Sequence, residues 1–223
     1  MTHIVNPYVH RLGGIRDWKS KWVFSKKSYK DYLKADTFIR EFLEKKLSKA
    51  YVSGIEFVRD GNKKYIITIK TSRAGMIIGK SGDGIEKLII DIKKLLKKKK
   101  LEIPTDIQIN IDDIKSPESD AGVVVAQVVE ALEKRMSFKR VLKTTVEKCM
   151  ANRDVQGVKI TVSGRLNGAD MARTESEKQG RIPLSTFRSD VDFRNGRANL
   201  PYGVIGVKVW IYRGDIFDKE KNN

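Results

Sequence analysis

Cysteine is nearly absent. Cys149 stands alone in 223 residues, so no disulfide framework and no cysteine-based zinc site can form. That fits a reducing compartment. Histidine is almost as scarce: His3 and His10, both in an irregular amino-terminal stretch. A serine or cysteine nucleophile with a histidine base therefore has poor support. Long apolar runs are missing too. Leu88-Ile89-Ile90 and Val123-Val124-Val125-Ala126 are far too short to span a bilayer. His3, Asn6, Pro7, His10 and Arg11 interrupt the start, so no secretory leader is expected. Acidic residues are in deficit, 28 against 45 Lys and Arg, giving a formal net charge of +17. At 40% hydrophobic residues this is no disordered tail. Charge of this size points to a polyanionic partner, either nucleic acid or an anionic membrane surface. The expectation is a soluble cytoplasmic protein that binds a polyanion.

The excess is uneven. Residues 1–100 hold 25 basic and 10 acidic side chains, a balance of +15, and residues 101–223 hold 20 and 18. Residues 1–35 read as a basic extension without a clean period. There Trp18, Trp22, Phe24, Tyr29 and Tyr32 alternate with Arg16, Lys19, Lys21, Lys26, Lys27, Lys30 and Lys34. Such a segment either binds RNA, cations on phosphates and rings on bases, or is tied to a domain by its aromatics.

Asp36 reads as the N-cap of a helix carrying Phe38, Ile39, Phe42, Leu43 and Leu47. Strands are expected at 51–59 and 63–71, joined at Asp60-Gly61-Asn62. A glycine-rich stretch, 75–84, precedes a helix with Ile85, Leu88, Ile89, Ile92 and Leu96 on one face, ending in Lys97 to Lys100. Ile107, Ile109 and Ile111 alternate as a strand. Ser116-Pro117-Glu118 reads as a helix start and a domain boundary. A helix through Val124 to Leu132, a second over about 138–151, and three strands (around Val158 to Val162, 182–193 and 203–212) complete the chain. The fold class is α+β: a first domain over 36–114, a two-layer second domain of two helices on a mainly antiparallel sheet over 115–217, and a frayed tail, 218–223.

Gly79-Lys80-Ser81 invites comparison with a phosphate-binding P-loop. That pattern needs glycine at position 74, which is Ala74. The turn Gly79-Lys80-Ser81-Gly82 instead resembles the G-x-x-G turn of KH RNA-binding domains. There glycine lets the nucleic-acid backbone approach closely, and Lys80 adds a phosphate-seeking charge.

The resemblance extends further. Gly75 to Leu88 is similar to a type II KH domain, whose order is helix–strand–strand–helix–helix–strand. Val5-Asn6-Pro7, Arg11-Leu12-Gly13 and the Trp18/Trp22 pair resemble the start of ribosomal protein S-three of the small subunit, bacterial type. So do Ser163 to Glu175, Gly180 to Leu184 and Tyr202 to Ile211. The match covers residues 3–217, with Ile4 standing where that family usually has lysine. It implies a structural, non-enzymatic constituent of the small-subunit head that binds small-subunit ribosomal RNA and contacts messenger RNA where it enters. The implied protein neighbours are S-ten and S-fourteen, with S-four and S-five near the messenger. The resemblance also implies that Lys139, Arg140 and Lys143, close together on one helix surface, face messenger. RNA contacts are expected at Gly79, Lys80, Ser81, Gly82, Arg11, Arg16, Lys19 and Arg165. Arg165, with Arg173 and Arg181, suits phosphate or an acidic protein equally.

No cofactor, metal or catalytic residue is expected, and no membrane. Cys149 reads as a small core residue. Asp112-Asp113 and Asp190-x-Asp192 would suit a metal-dependent nuclease; ion pairing of Asp190 and Asp192 with Arg188 and Arg194 on one strand face is the simpler account. A free KH-containing RNA-processing or transcription factor is the other alternative.

Overall fold

The computed structural model describes residues 5–22, 29–59, 64–79, 82–99, 101 and 106–217. The elements, in order, are α1 (Pro7–His10), β1 (Ser20–Trp22), α2 (Tyr29–Lys46), β2 (Val52–Arg59), β3 (Lys64–Thr71), α3 (Ala74–Ile78), α4 (Asp83–Lys98), β4 (Asp106–Asp113), α5 (Ala121–Glu133), α6 (Phe138–Met150), β5 (Gly157–Gly164), β6 (Arg173–Gly180), β7 (Ser189–Leu200) and β8 (Gly203–Asp215). The chain is α+β, as expected, and divides into two compact units. One is Trp18–Lys115; the other joins the residues up to Asp17 to Ser116–Asn223. The 1–35 stretch is thus shared between the two units. The expected turn at Asp60-Gly61-Asn62, the basic residues Lys26, Lys27 and Lys100, and the tail lie outside the described residues.

In the Trp18–Lys115 unit the sheet order is β1-β2-β3-β4. The central pair β2/β3 is antiparallel, and β3/β4 is parallel. Tyr65, Ile67 and Ile69 alternate into the core of this unit, as a half-covered strand requires. Ile39 and Leu43 of α2 and Leu88, Ile92 and Leu96 of α4 close the same core. The α2 helix begins seven residues before the expected cap, at Tyr29. Its first two turns hide this, because Tyr29 and Leu33 are exposed and break the apolar period. Asp36 is therefore no cap. It is buried inside the helix, where it accepts hydrogen bonds from Arg59 Nε and Nη2 (3.1 and 2.6 Å), the Tyr65 hydroxyl (2.8 Å) and Trp22 Nε1 (2.8 Å). Burial first, then Asp36, raises the Tyr65 pKa far above its ordinary value, so the phenol stays a donor. Trp22 ends β1, a three-residue strand parallel to β2 that the sequence did not suggest.

In the other unit the sheet order is β6-β5-β8-β7, antiparallel throughout. Val158, Ile160 and Val162 of β5 and Val207, Val209 and Ile211 of β8 form one core with the apolar sides of α5 and α6. Asp120, and not Ser116, caps α5, accepting from the Gly122 and Val123 amides; Pro117–Ser119 is a separate 3-10 turn. Cys149 lies in the core, and burial, with Glu118 adding, pushes its thiol up to about 12.

Two corrections concern the sheet. It has four strands and not the expected three; β6 (RTESEKQG) escapes the sequence pattern because it is nearly all exposed and carries no apolar alternation. And β7 starts at Ser189, not 182. The carbonyls of Pro183, Leu184 and Thr186 instead accept from the guanidinium of Arg11.

Candidate nucleic-acid interface

Two regions hold the residues that the sequence singles out most strongly. The first is the turn between α3 and α4. Gly79 closes α3 at φ 72°, ψ −171°, a region open essentially to glycine alone, and Gly82 precedes α4 at φ 91°, ψ −5°. The helices cross tightly beside it: a Cβ on Gly84 would lie 2.2 Å from the Ile77 carbonyl oxygen. Gly79 is exposed and Gly82 half-exposed. Lys80 and Ser81 lie outside the described residues. The first turn of α4 holds Asp83 and Glu86, which stabilise the helix start but oppose a phosphate drawn to its dipole. What the turn offers a backbone is access at Gly79 and Gly82, and not an unopposed helix end. Replacing Gly82 by Asp and by Asn separates charge from shape, since both tolerate left-handed φ. Filter binding should show RNA affinity about tenfold lower for Gly82→Asp than for Gly82→Asn. Equal affinity for the two, with native circular dichroism, would remove this turn from the RNA contact.

The second region is the start of α6. Lys139, Arg140 and Lys143 are all exposed, on the side opposite Val141, Leu142 and Val146, which enter the core. The first turn of α6 contains no acid, and Ser137 makes no side-chain cap bond. Two cations and uncapped amides thus share the positive end of the helix dipole, an arrangement unfavourable to the isolated helix and favourable to a bound anion. Two further arginines lie near the start of α6 or in the link before it, and the sequence did not suggest the first. Arg135 is exposed in the α5–α6 link at φ 61°, a backbone conformation a sequence pattern does not signal. Arg173, the first residue of β6, lies with its guanidinium 5.7 Å from the ring of Phe138, beside Lys139. By sequence Arg173 suits phosphate or an acidic protein; its place beside Phe138 follows from the strand β6.

The remaining predicted contacts sit elsewhere. Arg11 is 2% exposed and donates to five backbone carbonyls: Pro7, Pro183, Leu184, Thr186 and Ser189. It is a buried strut: Nε, Nη1 and Nη2 each already donate to backbone carbonyls. Arg16 donates to Asp190 Oδ1 at 2.6 Å and is mostly covered. Lys19 is half-buried, and its carbonyl accepts from the Phe57 amide where β1 joins β2. Arg165 bonds the carbonyls of Ala169 and Tyr202 and the carboxylate of Asp170, so it organises its own loop.

The aspartates are paired, but not as expected. Arg188 goes to Asp215. A register shift between Ser189 and Val191 re-aims the strand. Asp192 then accepts from Arg213 at 3.1 Å and from the Ala121 amide, and Asp190 faces Arg16 and, more distantly, Arg213. Among the described residues no group of three His, Cys, Asp or Glu side chains is placed to hold a metal ion.

A glycine-hinged turn between two helices of a β-sheet unit, with a basic helix start in a second unit, defines an RNA-binding protein. Family comparison gives the same class. Residues 38–119 match the KH domain, and residues 128–211 match the C-terminal domain of ribosomal protein S3. The chain is 46% identical over 221 residues to the small ribosomal subunit protein uS3 of Vesicomyosocius okutanii, covering 99% of this chain and 92% of that protein. The uS3 proteins of Methylococcus capsulatus and Alkaliphilus oremlandii are 44% and 42% identical, over 98% and 97% of this chain and 94% and 87% of theirs. The chain belongs to the uS3 family of small-subunit ribosomal proteins. Its membership makes it a ribosomal component and not an enzyme.

Proposed function

We propose that this protein holds ribosomal RNA in the head of the small subunit through its KH unit and contacts messenger RNA, where it enters the subunit, through the start of α6. It works bound to cytoplasmic ribosomes as scaffold and guide, without covalent chemistry. Proteins S-ten and S-fourteen are its neighbours in the head, with S-four and S-five across the messenger path.

One observation supports the messenger contact most. Lys139, Arg140 and Lys143 stand exposed at a helix start that has no acid and no side-chain cap. Such a cluster grips a phosphate backbone without reading its sequence, as a strand that must slide requires.

The test is a triple substitution, Lys139→Ala with Arg140→Ala and Lys143→Ala. All three side chains are exposed, so the fold is expected to survive. In a reconstituted translation system, elongation through a stable hairpin should slow several-fold more than elongation through unstructured messenger. Equal slowing on both messengers would assign the cluster to subunit assembly instead.

A further inference from the structure

The β6-β5-β8-β7 sheet has a second face, turned away from the core that α5 and α6 close. At one end of this face Ile182 and Leu184 pack over Val191, Trp210, Tyr212 and Phe193. Beyond that cluster the face is polar and cationic. Strand register places Lys178 opposite Lys159, Lys159 opposite Trp210, Lys208 opposite Thr161, and Arg197 opposite Gly206. Lys178, Lys208 and Arg197 are exposed, and Lys159 is half-buried against the Trp210 ring. No carboxylate occupies any of the twelve positions in these three cross-strand rows; Glu175 and Glu177 fall on the core side, level with Val162 and Ile160.

Two features call for an anion. Lys178 and Lys159 lie directly opposite each other, a like-charge pair that destabilises a sheet unless something neutralises it. Lys208 and Arg197 continue the row diagonally, at steps of roughly 7–8 Å. Among the described residues none of the four is in an ion pair. Between them stand neutral donors: Ser176, Thr161, Ser163 and Asn195. The Thr161 hydroxyl is buried, with no hydrogen-bond partner among the described residues.

We infer that this open sheet face is a separate RNA-binding surface, on which the diagonal of cations follows successive phosphates of one strand. Hydroxyls and an amide between cations suit phosphate oxygens and 2′-hydroxyls. A protein-docking face would instead be poor in lysine and rich in accessible aromatics; here Trp210 is 93% covered. The surface shares no residue with the Gly79–Gly82 turn or the α6 cluster, so it stands apart from the function proposed above.

The experiment uses the full chain with Lys178→Glu, Arg197→Glu and Lys208→Glu together, leaving Lys159 on its tryptophan. The probe is a fluorescein-labelled single-stranded oligouridylate. At about 0.15 M salt its affinity should fall at least about tenfold, and the slope of log affinity against log salt should shrink by about 2, near 0.7 per lost phosphate contact. Wild-type affinity and slope in a variant with native circular dichroism would overturn the inference. A readout independent of folding is amine acetylation of the unmodified chain: Lys178 and Lys208 should be protected when the oligouridylate is bound, and unchanged labelling would contradict the proposal. Loss of polyglutamate binding by the variant, with RNA binding intact, would mark the face as an acidic-protein site and overturn it equally.

Discussion

Asp36→Ala is expected to destabilise the Trp18–Lys115 unit by about 3–5 kcal/mol, the usual cost of removing one member of a buried charge pair. The carboxylate is 4% exposed and Arg59 8%. Without it the Arg59 guanidinium, the Tyr65 hydroxyl and the Trp22 indole lose an acceptor at once. Stacking of Arg59 between the rings of Tyr32 and Tyr65, at 4.6 and 4.2 Å, keeps the cation in place and unpaired. Urea unfolding with a probe in this unit measures the loss. Asp36→Leu with Arg59→Met should recover most of it, because the penalty is the orphaned charge and not the missing volume. If Asp36→Ala unfolds at the wild-type midpoint, the network carries no stability, and the seat of Trp22 needs another explanation.

Arg11→Ala is expected to cost the other unit about 3 kcal/mol or more. Five carbonyls lose their donor, and those of Pro7 and Ser189 are contacted in buried surroundings. The segment 183–188 should loosen from the sheet, read as faster amide exchange there and around Ser189. Arg11→Lys should rescue little, since an ammonium cannot reproduce the planar fork of a guanidinium. RNA affinity of the folded fraction should stay at the wild-type value for both variants. Stability near wild type with RNA affinity lost would restore Arg11 to the RNA interface.

These two residues show where sequence reading stops. Each is charged, and each looks ordinary in its local window: Asp36 precedes an apolar period, and Arg11 sits in a basic stretch. Their roles come from partners that are distant in sequence. Asp36 meets Arg59 and Tyr65, and Arg11 meets carbonyls more than 170 positions away. No local pattern encodes such a meeting. Period, in contrast, was legible wherever one face is buried and the other wet. Ile107 and Ile109 on β4, Val158 to Val162 on β5 and Ile205 to Ile211 on β8 carry it plainly. The β6 strand carries none, because it lies at the sheet edge with both faces largely exposed. Of the site, the turn glycines follow from spacing and the flanking isoleucines. The exposed cations of α6 are indistinguishable by spacing from a solvated face. What separates them is the missing acid and cap at the helix start, together with the family to which the chain belongs.

The central claim is that this chain is a fixed part of the small ribosomal subunit and not a factor that visits RNA. Sucrose-gradient sedimentation in high salt tests it most directly, with the protein quantified against small-subunit RNA. High salt strips proteins held only by phosphate contacts and leaves those built into the particle. The expected result is one copy per small subunit, retained through the high-salt wash. Substoichiometric recovery, or release into the light fractions as salt rises, would contradict it.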